Sequence, residues 1–180
     1  NADSSNDLGL LKLSSLEMAS AESQSLIQKL GIVVVPLATN GLLRNEDVRL
    51  GEKVLVAGYP FGDVFSNTIK VTSGIVSATR GAGDDSGQFQ LDAAVQPGNS
   101  GGPIYDSSGN IVGVVTSQLN KRTFGSLVEN VNFGVKASTV RQFLVSSGLS
   151  SKKSERTEEK STEQLAEIAQ NQALMVMCLQ

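Results

Sequence analysis

The chain of 180 residues is long enough for one domain with a substantial core and an extension. Its formal net charge of -3 provides no basic face for a phosphate backbone, so we do not expect nucleic acid to be its main partner. The hydrophobic fraction is 39%, yet tryptophan is absent and aromatic residues make up only 4% of the chain. The core must therefore be built from Val, Ile, Leu and Ala, a composition that suits β-strands.

Membrane-spanning and metal-binding proteins are also disfavoured by the sequence. The longest apolar run, residues 173–179, is far shorter than the about 18 residues that a membrane helix requires. The single cysteine, Cys178, permits no internal disulfide, and the absence of histidine excludes a Cys/His metal cluster. We expect no metal and no cofactor, and no sequence feature predicts an oligomeric state.

Two short elements are predicted near the amino end. The apolar residues at 8–13 directly follow Asp7 and indicate a strand. Residues 16–30 have the period of a short helix, with Leu26, Ile27 and Leu30 on one side.

Six further strands are predicted between residues 54 and 135. Short apolar runs alternate there with clusters of Gly, Pro, Asp or Asn, the pattern of an antiparallel barrel. The predicted strands are 54–59, 69–79, 88–95, 102–105, 111–116 and 131–135. The predicted fold class is all-β, a six-stranded antiparallel Greek-key barrel with short helices on its carboxyl-terminal side.

A helix is predicted directly after the sixth strand, over residues 137–145. Val140, Phe143 and Leu144 recur there at helical spacing, and Ser138 is the expected cap. We expect this helix to pack on the barrel.

The composition changes sharply after this helix. Residues 146–161 are rich in Ser, Lys, Glu and Gly, which is typical of a solvated linker, so we predict one domain over 1–145 with its boundary there. Residues 162–172 predict an amphipathic helix on Leu165, Ile168 and Ala169, and 174–179 predict a strand. Residues 162–180 are interpreted as the start of a further segment, and a helix that caps the barrel core is the alternative.

The candidate for chemistry is the sequence Gly-Asn-Ser-Gly-Gly-Pro at residues 98–103, which we call the serine turn. Its glycines permit backbone conformations that other residues avoid, so that successive amides can point into one concavity and hold an oxyanion. Ser100 is then a candidate nucleophile, with the amides of Gly98 and Ser100 as oxyanion donors. A glycine-rich hairpin loop without chemistry is the competing interpretation.

The same spacing fits the nucleophile elbow of the α/β-hydrolases. That fold requires a helix directly after the serine and a histidine later in the chain. Pro103 is followed by strand-like residues, and the sequence contains no histidine. The α/β-hydrolase interpretation is therefore excluded.

The residues around the serine turn carry a family resemblance. The sequence Leu-Asp-Ala-Ala-Val-Gln-Pro at 91–97 leads into the turn, and related motifs occur at 7–12, 58–62, 71–78 and 131–135. Together they resemble the trypsin-like, chymotrypsin-fold serine endopeptidases, in particular the bacterial branch of high-temperature-requirement periplasmic proteases. The six strands would then form the second barrel of that double-barrel fold, and 8–13 would be the last strand of the first.

The resemblance implies roles for particular residues. Ser100 would be the nucleophile, and Asp7 would orient a histidine, although a solvated acid at a strand start and the weaker candidate Asp3 are alternatives. The family order places the histidine before the aspartate, so we expect it upstream of Asp7 and interpret the chain as a fragment that is nearly inactive alone. A bacterial periplasmic or secreted location is implied in the same way.

The resemblance also implies how a peptide substrate would bind. Residues Thr116, Ser117 and Gln118 occupy the place where such proteases pair with an extended peptide or unfolded protein. Ala94, six residues before the serine, would lie at the base of the specificity pocket. An apolar residue cannot pair with a buried lysine or arginine, so we predict a preference for small or medium aliphatic side chains.

Two further hypotheses compete with catalysis at these residues. The longer protein to which this chain is expected to belong is called the parent protein here. The first alternative is that the parent protein is a non-catalytic peptide-binding pseudoprotease that uses the same groove. Separately, the adjacent carboxylates Asp84 and Asp85 suggest a paired-acid site, but their Gly/Asp/Ser surroundings favour a hairpin loop.

Overall fold

The computed structural model describes residues 1–11, 20–29, 41–60, 68–118 and 131–176. Ten strands lie in these ranges. They are β1 (Ala2–Asp3), β2 (Leu8–Gly9), β3 (Leu43–Arg44), β4 (Lys53–Gly58), β5 (Lys70–Ala78), β6 (Gln88–Leu91), β7 (Pro103–Tyr105), β8 (Ile111–Gln118), β9 (Asn132–Lys136) and β10 (Lys153–Ser154). The described helices are α1 (Ala21–Lys29), α2 (Ala137–Ser146) and α3 (Thr162–Gln172), and a short 3-10 turn occupies Ala82–Asp84.

Six of these strands close into an antiparallel barrel. Neighbours follow the order β8, β7, β4, β5, β6 and β9, and β9 pairs back with β8. All six correspond to the strands predicted from the sequence, so the predicted fold class is confirmed. Strand β6 differs most from its predicted bounds: it ends at Leu91, and the carboxylate of Asp92 accepts a hydrogen bond from the amide of Ile75 at 2.6 Å.

The barrel interior is filled by one large aromatic ring and many branched aliphatic side chains. Phe89 is fully buried there. A Cβ atom on Gly113 would lie 2.6 Å from the ring of Phe89, and one on Gly134 would lie 2.9 Å from it. The ring therefore fits only because glycine occupies both facing strands. The remaining core side chains include Val54, Val56, Val76, Leu91, Ile104, Val112 and Val115.

A second apolar cluster lies between the barrel and helix α3. Leu165 and Ala169 of the helix pack with Leu55, Ala57 and Tyr105. The helix has the bounds that its amphipathic pattern predicts, and of the predicted apolar face Leu165 and Ala169 are buried and Ile168 is partly buried. Ser161 caps it, because its hydroxyl accepts from the amide of Gln164 while the Gln164 side chain accepts from the Ser161 amide.

Most of the segment 146–161, which its composition predicts to be a solvated linker, is exposed, but part of it contacts the barrel. Its strand β10 pairs in parallel with β3, and Ser154 is buried. The hydroxyl of Ser154 donates to the side-chain carbonyl of Asn110, whose amide group donates to the backbone oxygen of Arg156 at 3.0 Å. Polar residues here bind the barrel through hydrogen bonds, which composition alone does not distinguish from solvation. The division of the chain into domains stays a prediction.

Two local predictions differ from the structure: the helix cap at Ser138 and the strand at 174–179, of which residues 177–179 lie outside the described residues. The residue that caps α2 is Lys136, with no side-chain hydrogen bond to the helix, so Ser138 lies inside the first turn. Residues 174–176 are not in a strand.

The amino-terminal elements match their predictions only in part. Strand β2 pairs with β1, and α1 lies inside the range predicted as helix. Residues 12–13 of the predicted strand, Leu30 of the predicted helix and Cys178 lie outside the described residues. No helix in the described part of the chain is long and apolar enough to cross a membrane.

Candidate active site at the serine turn

The serine turn lies between β6 and β7 in the chain, two strands that do not pair with each other, and contacts the end of β4. Gly98 and Gly101 have φ angles of 100° and 82°, which other residues rarely adopt. A Cβ atom on Gly98 would lie 2.5 Å from the carbonyl oxygen of Tyr59, and one on Gly102 would lie 2.2 Å from that of Ala57. Three of the turn's glycines are therefore required by conformation or by close approach.

Hydrogen bonds within the turn and to β8 fix its path. The Asn99 amide donates to Gln96 at 3.0 Å, and the Gly102 amide donates to Asn99 at 2.9 Å. The Gly101 amide donates to the carbonyl of Val115 at 2.8 Å. Within the described ranges, no backbone carbonyl accepts from the amides of Gly98 or Ser100. Both amides are thus available to an external acceptor.

Ser100 is exposed, whereas the neighbouring Asn99 is buried. The side-chain oxygen of Asn99 has no hydrogen-bond partner among the residues that the structure describes. A turn that buries Asn99 and exposes the next residue presents the Ser100 hydroxyl to solvent, as a nucleophile requires.

Asp7 reaches the same region through β8. Its Oδ2 atom accepts a hydrogen bond from the Thr116 hydroxyl at 2.8 Å, and Thr116 is buried. Thr116 directly follows Val115, which binds Gly101 of the serine turn. Adjacent residues of one strand therefore anchor the candidate orienting carboxylate and the candidate nucleophile's turn.

The alternative carboxylate, Asp3, is engaged elsewhere. Its oxygens accept from the side chain of Asn6 at 2.7 Å and from the amides of Ser5 and Asn6. The hydrogen bond from the Asn6 side chain is the largest effect and lowers the pKa of Asp3; desolvation opposes it, and the two amide hydrogen bonds lower the pKa further. Asp3 therefore stabilises the turn between β1 and β2, and Asp7 is the carboxylate that meets the barrel.

The residues predicted to bind substrate lie on both sides of the turn. Ala94 is exposed after the end of β6, and its carbonyl accepts from the Thr72 hydroxyl at 2.7 Å. Thr116, Ser117 and Gln118 form the end of β8, where the register with β9 shifts between Val115 and Gln118. The hydrogen bond of Thr116 to Asp7 was not predicted from the sequence, because no local pattern links residues 109 positions apart.

The acidic pair Asp84 and Asp85 has local structural partners. Asp84 forms an exposed ion pair with Arg80 at 3.1 Å, and Asp85 accepts from the amide of Gly87 at 2.8 Å. These contacts agree with the hairpin-loop interpretation. Among the described residues, no group of three or more His, Cys, Asp or Glu side chains could hold a metal ion.

The arrangement combines an exposed serine, two available amides beside it and a carboxylate held by the adjoining strand. These are three of the parts of a nucleophilic hydrolase, and the fourth is a base between the carboxylate and the serine. A closed barrel of six antiparallel strands that presents a serine in such a turn is typical of a class of serine peptidases.

Residues 1–114 match the family model of the trypsin-like peptidase domain. The chain belongs to the trypsin-like peptidase family. The matched range contains both Asp7 and Ser100.

Several curated proteins are similar to the chain. An uncharacterized protein, y4bJ of Sinorhizobium fredii, is 40% identical over 136 residues, which are 73% of this chain and 22% of that protein. A probable periplasmic serine endoprotease, DegP-like, of Brucella suis is 43% identical over 98 residues, or 53% of this chain and 18% of that protein. The mitochondrial serine protease HTRA2 of Bos taurus is 37% identical over 116 residues, or 61% and 23%. The chain spans about a fifth of the length of these relatives.

Proposed function

We propose that this chain carries the nucleophile of a serine endopeptidase that hydrolyses peptide bonds through an acyl-enzyme at Ser100. The observation that carries the proposal is the pairing made by β8, in which Val115 binds the serine turn and Thr116 binds Asp7. The exposed hydroxyl of Ser100 attacks the scissile carbonyl, and its proton passes to a base. The amides of Gly98 and Ser100 stabilise the oxyanion that forms.

The base in this proposal is a histidine outside the 180 residues, because the sequence contains none. Asp7 accepts a hydrogen bond from that histidine and holds it in the tautomer that can receive the serine proton. The histidine then returns the proton to the leaving amine, and water hydrolyses the acyl-enzyme by the same route. The 180-residue chain alone is expected to be nearly inactive.

The proposed substrate is a peptide or an unfolded protein that binds in extended form along residues 116–118. Ala94 gives the specificity pocket an apolar base and favours small or medium aliphatic side chains before the cut. A periplasmic or secreted location is proposed because one relative is named as periplasmic.

A second candidate is a pseudoprotease that binds peptides without cutting them. The absence of histidine from the sequence favours it. The two free amides beside an exposed serine favour catalysis, since a binding module does not need a hydroxyl between oxyanion donors.

The experiment compares hydrolysis of a fluorogenic peptide library by the full-length parent protein with that by its Ser100→Ala variant. Ser86→Ala, which changes another exposed turn serine, is the matched control. Loss of cleavage in Ser100→Ala alone supports the endopeptidase. Peptide binding without any cleavage by the parent protein supports the pseudoprotease, and a profile dominated by Arg or Lys before the cut contradicts the role of Ala94.

A further inference from the structure

The serine turn rests on a short backbone segment, residues 58–60, at the end of β4. A Cβ atom on Gly98 would lie 2.5 Å from the Tyr59 carbonyl oxygen and 3.0 Å from the Pro60 Cα atom. A Cβ atom on Gly58 would lie 3.0 Å from the Cα atom of Asn99. The two backbones are in contact without side chains between them, so a shift of residues 58–60 has to move the turn.

The side chain of Tyr59 connects the same segment to the carboxyl-terminal helix. Its hydroxyl donates to the carbonyl oxygen of Ala173 at 3.1 Å, across 114 residues of sequence. Ala173 is buried and directly follows α3, and its own amide donates to Ala169 in the helix at 2.9 Å. The Tyr59 hydroxyl is therefore bound to the end of α3.

Helix α3 is in turn docked on the outside of the barrel. Leu165 and Ala169 pack with Leu55 and Ala57, which lie in β4 shortly before Tyr59. A second tyrosine, Tyr105, donates to the side-chain oxygen of Gln172 at 3.0 Å. Two tyrosine hydroxyls thus bind the same end of α3, but of the two tyrosines it is Tyr59 whose backbone contacts Gly98.

We propose that Tyr59 is a positioning residue that couples the docking of α3 to the geometry of the serine turn. When α3 is docked, the Tyr59 hydroxyl is hydrogen bonded to its end, and this bond fixes the position of residues 58–60. The backbone of these residues contacts Gly98 and so fixes the position of its amide in the serine turn. Displacement of the helix releases this contact and loosens the turn. The inference rests on the proposed function for its effect on turnover, whereas the coupling itself is a property of the chain.

The direct test is hydrogen exchange in the 180-residue chain, with Tyr59→Phe compared with Tyr105→Phe. Each variant keeps the ring and removes one hydrogen bond to the end of α3. The amides to follow are those of Asn99, Gly101 and Gly102, which are hydrogen bonded in the turn. We expect exchange about 3- to 10-fold faster in Tyr59→Phe, the effect of one net hydrogen bond, and little change at these amides in Tyr105→Phe.

Two outcomes overturn the proposal. Equal acceleration in both variants means that general undocking of α3, rather than Tyr59, loosens the turn. Unchanged exchange in Tyr59→Phe means that the hydroxyl does not support residues 58–60.

The kinetic test uses the full-length parent protein with the same two variants. Tyr59→Phe is expected to lower kcat about 3- to 10-fold with KM unchanged, because the turn acts on the oxyanion rather than on substrate binding. If KM instead rises in Tyr59→Phe while kcat stays constant, the positioning role is contradicted. A parent protein that cleaves nothing refutes the proposed function instead, and the exchange result then decides the coupling by itself.

Discussion

The hydroxyl of Thr116 donates a hydrogen bond to the carboxylate of Asp7 at 2.8 Å, between a buried strand residue and an exposed acid near the start of the chain. The preceding residue, Val115, accepts from Gly101 and donates to Gly102. Strand β8 therefore sets the position of Asp7 relative to the serine turn. A substitution at Thr116 should act on catalysis through Asp7 while leaving the barrel intact.

The first prediction concerns this contact. Thr116→Val keeps the side-chain shape and removes the donor, so Asp7 loses one of the groups that hold it. In the parent protein, kcat should fall about tenfold, in the range expected for a hydrogen bond to a charged group. Thr116→Ser retains a hydroxyl and should keep most of the activity. Steady-state kinetics that rank the serine variant below the valine variant would contradict the role.

The second prediction concerns the glycines of the serine turn. Gly98→Ala places a Cβ atom 2.5 Å from the Tyr59 carbonyl at a φ of 100°, so the turn must move. We expect kcat to fall by about a hundredfold or more, the cost of losing one oxyanion donor.

Gly101→Ala is the matched control for this substitution. Its φ is also positive, but nothing lies within 4 Å of the added atom. It should cost less turnover than Gly98→Ala, and both can be measured by active-site titration and kcat. Equal losses would show that strain alone, rather than the contact with Tyr59, controls the turn.

The serine turn could be predicted from the sequence because its information is local. Glycines beside Ser100 permit the positive φ angles that this tight turn requires, and alternating apolar runs identify the barrel strands. The link from Thr116 to Asp7 could not be predicted, because it depends on how distant segments meet after the barrel has closed. Its position directly before a predicted strand selected Asp7 over Asp3, and the hydrogen bonds of Asp3 to Ser5 and Asn6 and of Asp7 to Thr116 give this choice a physical basis.

The carboxyl-terminal segment illustrates a different limit of sequence reasoning. Polar composition at 146–161 has the same appearance whether the side chains contact water or the barrel. Here Ser154 is buried and Arg156 donates to the carbonyl of Gly109 at 2.9 Å. The amphipathic pattern of α3 was sufficient to predict the helix but not the surface that it covers.

The third prediction concerns the ion pairs of Arg44. Its guanidinium binds Glu52 and also Asp106 at 3.2 Å, and all three side chains are largely buried. Burial lowers the pKa of Arg44, but the two carboxylates raise it more. Arg44→Met should reduce the free energy of unfolding by about 3 kcal/mol, because it leaves buried carboxylates without their cation.

Arg80→Met is the control for this loss. Arg80 and Asp84 are exposed, and their ion pair should contribute less than about 1 kcal/mol. Urea denaturation of both variants measures the difference. Similar losses of unfolding free energy in Arg44→Met and Arg80→Met would show that the ion pairs of Arg44 are as solvated as that of Arg80.

The fourth prediction is a pH dependence at Glu52. Burial raises its pKa, but the hydrogen bonds from Arg44 and from the Arg49 amide lower it more, so its pKa lies below the ordinary value of 4.5. A carboxyl with a lowered pKa stabilises the fold above the pKa of the unfolded chain and loses that contribution as the pH falls through the folded value. Glu52→Gln should therefore be less stable than wild type at pH 7.

The difference between Glu52→Gln and wild type should shrink as the pH falls below about 4.5. Urea denaturation from pH 7 to pH 3 measures it. A difference in the free energy of unfolding that stays constant over this range would show that ionisation of the Glu52 carboxyl does not stabilise the fold.

The last prediction tests whether α3 folds with the barrel. Leu165 is buried against Leu55, Ala57 and Tyr105, so Leu165→Ala should reduce the free energy of unfolding by about 3 kcal/mol. The exposed Leu174→Ala is the control and should change it by less than about 0.5 kcal/mol. Both tyrosines of the sequence contact the end of α3, so tyrosine fluorescence reports the docking of α3 on the barrel, and far-ultraviolet circular dichroism reports the strands and helices together. Coincident transitions that Leu165→Ala shifts together indicate one cooperative domain, whereas a main circular dichroism transition that Leu165→Ala leaves unchanged, while the fluorescence transition shifts, places the boundary in 146–161, as the sequence predicts.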